Sequence, residues 1–226
     1  MSTMTNRIRT QARRLSLLLI ALLTMVSHLS AAAITRGPYL QIATPTSIVI
    51  RWRTDVATNS RIQYGTAAGS LTSTFDVAAS VTEHEITLNG LAPNTTYWYS
   101  VGSTTQTLAI GADHFFLTSP SSGKPTRIWV LGDSGTANAN VAAVRDAYKR
   151  FTGSRHTDFW LMLGDNAYNN GTDAEYQAAV FKMFPEMLRK SALFSTRGNH
   201  ENTDANGSVY YNIFSMPTAA QAGGLA

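Results

Sequence analysis

Ile128-Trp129-Val130-Leu131-Gly132-Asp133-Ser134-Gly135 is an apolar run of strand length that ends in a tight acidic turn. The pattern recurs twice. Phe159-Trp160-Leu161-Met162-Leu163 leads into Gly164-Asp165-Asn166-Ala167-Tyr168, and Ala192-Leu193-Phe194-Ser195-Thr196 leads, after Arg197, into Gly198-Asn199-His200-Glu201. Asp133 and Asp165 stand 32 residues apart, and Asp165 and Asn199 stand 34 apart. One strand, one crossover helix and their turns take about 30 residues, so the motifs repeat with the period of a βα unit. In a parallel sheet all three turns lie beyond the carboxyl ends of the strands, where such sheets bind ligands. Oxygen and nitrogen donors distant in sequence then converge on one small volume, which points to a metal site.

The intervening segments read as helices. Val141, Val144, Tyr148 and Phe151 fall on one helical face. Thr172-Asp173-Ala174-Glu175 fits a capping box that opens the next helix. Tyr176, Val180, Met183 and Met187 continue its apolar face, and Pro185 is placed to break or kink it. The order from Thr126 to Glu201 is therefore β-α-β-α-β, an α/β half-sheet.

Upstream the period changes to two. Ile48, Ile50 and Trp52 alternate with Val49, Arg51 and Arg53, and further strands are expected at 61–64, 83–88, 97–101 and 114–117. Short strands between Gly, Asn, Pro and Thr turns predict a β-sandwich. Trp52, Trp98, Tyr39, Tyr64 and Tyr99 are read as core and flank rather than as a carbohydrate-binding face. His84 and His114 are read as surface or satisfied histidines. Ser119 to Pro125, with Pro120 near one end and Pro125 at the other, reads as a linker.

At the amino end, Arg7, Arg9, Arg13 and Arg14 precede the apolar stretch 15–26, and Ala31-Ala32-Ala33 follows. A basic start, a short apolar stretch and small residues at the end predict a secretory signal over 1–33, with an uncleaved membrane anchor as the alternative. The expected location is secreted or periplasmic, with no stable membrane anchor after cleavage. The chain has 18 Lys+Arg against 14 Asp+Glu. Removing the four signal arginines leaves 14 of each, so the basic balance gives no reason to expect a nucleic-acid partner. There is no cysteine, so thiolate metal sites and disulfides are excluded and any ion is held by oxygen and imidazole donors. The organisation read from sequence is a two-domain α+β chain: signal 1–33, β-sandwich 34–118, linker 119–125 and an α/β part over 126–226.

Gly-Asp-x-Gly at Gly132, Gly-Asp-x-x-Tyr at Gly164 and Gly-Asn-His-Glu at Gly198 together resemble the first three of five motif blocks of purple acid phosphatases, within the calcineurin-like metallophosphoesterases. Arg36-Gly37-Pro38-Tyr39-Leu40-Gln41 resembles the start of the domain that precedes the catalytic part in bacterial and plant-type members. Leu91-Ala92-Pro93-Asn94-Thr95-Thr96-Tyr97 resembles the corner of fibronectin type III domains, in which the tyrosine hydroxyl bonds to nearby backbone. The resemblance implies hydrolysis of phosphate monoesters by a hydroxide held on two metal ions, ferric iron and a divalent zinc, manganese or iron. It implies that Asp133 and Tyr168 hold the ferric ion, that Asp165 bridges, that Asn199 binds the second ion and that His200 faces the phosphate. Glu201 is expected to orient its neighbours.

The same resemblance implies two later blocks, Val-x-x-His and Gly-His-x-His, which are not in this sequence. The expectation is a truncated copy with little activity of its own. Two other readings stand beside it: a non-catalytic secreted binding module, and a related metallophosphodiesterase.

Overall fold

The computed structural model describes residues 31–203 and 205–217. The expected signal over 1–33 falls, except for its last three residues, outside the described residues. No helix among the described residues is long and apolar enough to cross a membrane.

Six antiparallel strands come first: β1 Ile34–Gln41, β2 Ser47–Gly65, β3 Ser73–Asn89, β4 Thr96–Gly102, β5 Thr107–Ala109 and β6 Phe115–Leu117. They form one hydrogen-bonded sheet. The strands expected separately at 48–53 and 61–64 are the two halves of β2, and β3 begins ten residues before the expected 83. The residues from Asp55 to Ser60 lie between the two expected strands, yet β3 pairs along β2 on both sides of them, with register shifts between Arg53 and Ser60. A bulged ladder tolerates such residues because the unpaired ones turn outward. On its other edge β2 carries β1 along its first half and β4 along its second. Both halves of β2 supply one core, with Ile48, Ile50, Trp52 and Ile62 packed among Leu40, Ile86, Leu88, Tyr99 and Phe116. Trp52, Tyr39 and Tyr99 are buried, as a core reading requires. The Ala92 N–H donates to the Tyr97 hydroxyl at 3.0 Å, which is the expected tyrosine corner. His84 is buried, its ring stacked on Trp52, with its nitrogens against the hydroxyls of Ser60 at 2.7 Å and Thr54 at 2.9 Å.

The second part is α/β. Strands β7 Ile128–Leu131, β8 Phe159–Leu163 and β9 Ala192–Thr196 are parallel and adjacent in that order. Helix α1 Ala139–Thr152 connects the first two. Helix α2 Asp173–Tyr176, opened by the Thr172–Glu175 capping box, continues as a π-helical turn Gln177–Phe181. The expected break follows: Phe184 caps a new helix α3, Pro185–Leu188, with Pro185 in its first turn. There the missing N–H costs nothing. Helix α4 Ser208–Ile213 follows β9.

In register, Trp129, Trp160 and Leu193 share one sheet face, and they pack against Tyr176, Val180, Phe184 and Met187. The opposite face carries Ile128, Val130 and Leu163, all exposed. Helix α1 differs from expectation in rotation. Val141, Ala142 and Tyr148 pack on the core, whereas Val144 is 57% and Phe151 73% exposed. Tyr148 stacks on Trp129 and bonds Thr157, and Arg145 reaches the Met183 carbonyl; these polar anchors set the face that turns inward.

The Arg36-to-Gln41 stretch of β1 is the seam between the two parts. Arg36 is buried, pairs with Asp173 at 2.6 Å, donates to Gln177 at 2.9 Å and lies 4.4 Å above the Phe181 ring. The Tyr39 hydroxyl donates to the Ile213 carbonyl at 2.8 Å, and Gln41 accepts from the Ser215 N–H at 2.9 Å.

Candidate metal centre

Each motif turn begins where its strand ends, so the sheet delivers all three to one edge. The first two turns are tied by backbone alone: Asp133 N–H to Gly164 carbonyl at 3.2 Å, Gly135 N–H to Asp165 carbonyl at 2.9 Å, and Tyr168 N–H to Gly135 carbonyl at 3.0 Å. Asp133 and Asp165 themselves take left-handed backbone, with φ of 52° and 51°. Aspartate tolerates that region better than most residues, at a cost of about 1–3 kcal/mol when the surroundings hold it there.

The second and third turns are joined through one buried carboxylate. Glu201 accepts from the N–H groups of Asp165 at 3.0 Å, Ala167 at 3.2 Å and Gly198 at 2.5 Å, and from that of Asn166. Its expected part as an orienting residue is what these bonds describe. Gly198 is needed for the approach, because a Cβ there would fall on the Asp165 carboxylate. Asn166, also buried, donates to the Thr196 carbonyl at 2.8 Å and pins the second turn to the end of β9.

The result is a cluster of oxygen atoms. The Tyr168 hydroxyl donates to Asp133 at 2.8 Å and lies 3.2 Å from the Asp165 carboxylate. Partial burial, and after it the Asp133 carboxylate, raise the Tyr168 phenol above its ordinary value. A phenolic proton shared between two carboxylates marks the position where a cation would be stabilised instead. Among the described residues no group of three or more His, Cys, Asp or Glu side chains is placed to hold an ion; the oxygens gathered here are the two carboxylates and the Tyr168 phenol. Two carboxylates and a phenol suit a hard, strongly Lewis-acidic ion, and on that chemistry the residues fit the group.

His200 lies against the same cluster. Its backbone N–H donates to Asp165 at 3.2 Å, and its ring meets that of Tyr168 edge-on at 4.4 Å between centroids. Asn199 is exposed on the same turn, and its side chain has no hydrogen bond among the described residues. Sequence reasoning missed Glu175 as part of the site. Beyond its capping box, Glu175 accepts from the N–H groups of Asn169 at 2.5 Å and Asn170 at 3.1 Å. The capping signature was visible; its reach into the preceding loop was not.

Residues 36–118 match the purple acid phosphatase N-terminal domain, and residues 126–224 match the calcineurin-like phosphoesterase family. The second part of the chain is thus similar to the calcineurin-like phosphoesterases, and the first part to the domain that precedes the catalytic one in purple acid phosphatases. The fold of the chain is accordingly an α+β pair, a β-rich amino-terminal part followed by metallophosphoesterase α/β structure. The family hydrolyses phosphoesters and in general uses a dinuclear metal centre. No curated protein matches the chain. Among solved structures the chain is similar to PhoD, at 13% identity and a TM-score of 0.57 over 84% of this chain and 46% of that one. It thus spans about half the length of PhoD, and a likeness at that identity is one of fold. The fn3 domain of human contactin 1 is similar at 20% identity and a TM-score of 0.31, over 43% of this chain and 84% of that one.

Proposed function

We propose that this phosphoesterase is of the purple acid phosphatase type, a secreted or periplasmic hydrolase of phosphate monoesters. The observation that supports it most is the Tyr168 hydroxyl lying within 3.2 Å of both Asp133 and Asp165. A phenol in that place is a ligand for ferric iron, which stabilises the phenolate that ordinary ions leave protonated. Asp133 and Tyr168 would hold ferric iron, Asp165 would be shared, and Asn199 would offer its neutral carbonyl to a divalent zinc, manganese or iron. When bound, such a pair supplies Lewis acidity, a lowered pKa for water and a clamp on phosphoryl oxygens.

The chain's own residues do the rest. Glu201 fixes the Asp165 and Gly198 turns, so the donors are aligned before an ion arrives. The His200 Nδ1 faces the Asn169 carbonyl at 2.7 Å, which leaves Nε2 as the nitrogen that can take up a proton and pass it to a departing alcohol oxygen. The apolar stretch 15–26 has no role in this chemistry and supports only the proposed location.

Hydrolysis of chromogenic phosphate mono- and diesters, with iron and either zinc or manganese supplied, tests the substrate class. Turnover is expected to be low and to favour the monoester. A clear preference for the diester would replace this reading with that of a phosphodiesterase.

A further inference from the structure

We propose that Glu175 is a positioning residue that fixes the proton-bearing nitrogen of His200 through the Asn169 peptide. One Glu175 oxygen accepts from Asn169 N–H at 2.5 Å; the other accepts from Asn170 N–H at 3.1 Å and Thr172 N–H at 2.9 Å, and from the Thr172 hydroxyl at 3.0 Å. The glutamate that caps α2 therefore also gathers the whole loop that follows Tyr168. On the far side of the same residue, the Asn169 carbonyl lies 2.7 Å from His200 Nδ1.

A carbonyl oxygen only accepts, so Nδ1 must carry the proton in this contact. In a neutral ring that leaves Nε2 with its lone pair, and the bond made by one nitrogen sets the state of the other. Glu175 does not touch His200. It acts by holding the backbone on both sides of Asn169, through the Asn169 N–H and through the Asn170 N–H that shares a peptide with the carbonyl facing His200. The loop is also packed from below: Gly171 has φ +69°, and a Cβ there would meet the backbone of Glu201. The loop is thus confined between Glu175 and the turn that carries His200.

The part assigned to His200 rests on the phosphatase reading, but the readout does not. Ring-nitrogen NMR of the full chain with ¹⁵N-labelled histidine reports which nitrogen is protonated, whether or not any ester is hydrolysed. The His200 signal is assigned by its loss in His200→Gln, and spectra are taken at a pH above the ordinary imidazole range. The wild-type chain is expected to show the proton on Nδ1. Glu175→Gln keeps one oxygen for the cap, since Gln serves in a capping box, but turns an NH2 towards Asn169. It is expected to fold and to lose the Nδ1–H form, as is Glu175→Ala. Thr172→Ala weakens the cap and leaves the Asn169 tether intact, so His200 should keep its wild-type signal. Retention of Nδ1–H in both Glu175 variants would overturn the proposal. So would a Thr172→Ala chain whose His200 shifts as far as in Glu175→Ala, because the helix start rather than the tether would then be responsible. If Glu175→Ala fails to fold, Glu175→Gln decides alone.

Discussion

Glu201 shows how one side chain can hold two motifs in place. Its carboxylate takes N–H groups from Asp165, Asn166, Ala167 and Gly198 while almost wholly buried. Replacing it by Ala leaves those donors unpaired, and each unsatisfied buried group costs about 1–3 kcal/mol. We expect Glu201→Ala to lower stability by at least about 3 kcal/mol in urea unfolding and to weaken iron binding. Unchanged iron affinity would remove Glu201 from the site. His84 makes a prediction of a different kind. Burial lowers its pKa from 6.5 to about 4. The unfolded chain therefore takes up this proton first on acidification. The stability His84 contributes is complete above about pH 6.5 and is lost as pH falls to about 4. The size is on the order of 3 kcal/mol. His84→Gln should melt lower at neutral pH but lose less on acidification; an unaltered pH slope would assign the effect elsewhere.

At the level of elements, the sheet positions the site and β1 locks the sheet to the β-rich part. Asp173 is the key residue of that seam. Burial works to raise its pKa, but hydrogen bonds from Arg53 and Arg36 outweigh it and hold the carboxyl below its ordinary value. Removing Asp173 strands the buried Arg36 guanidinium, and an uncompensated buried charge costs about 3–5 kcal/mol. Asp173→Ala should show that loss in denaturant, with Asp173→Asn intermediate; a loss below about 1 kcal/mol would mean that the pair is effectively solvated. The Arg36-to-Gln41 stretch was legible only as a resemblance, because its partners Asp173, Gln177, Ile213 and Ser215 lie more than a hundred residues away. The Gly-Asp turns were legible because strand, helix and strand impose a fixed spacing. The capping box was legible because it is local. What the rotation of α1 depended on was not: Arg145 and Tyr148 find their partners across the fold, and those contacts left Val144 and Phe151 in solvent.

The described residues form two cores joined by a seam of polar and apolar contacts, with one face of the parallel sheet partly uncovered. Ile128 and Val130 on β7 are 44% and 50% exposed, beside the 56% exposed Leu163. Contiguous apolar surface of this kind promotes association. Val130→Lys should raise the concentration at which the chain begins to aggregate, measured by light scattering, with little change in melting temperature. Equal aggregation in the variant would place the sticky surface elsewhere.

In the proposed site three turns, brought together by one sheet, hold ferric iron with Tyr168 bound as a phenolate. Titration of ferric iron into the metal-free chain, followed by visible absorption, tests it most directly. A charge-transfer band should grow in with bound iron and should be absent from a folded Tyr168→Phe chain. A band of equal strength in Tyr168→Phe, or iron binding without any band in the wild type, would contradict it.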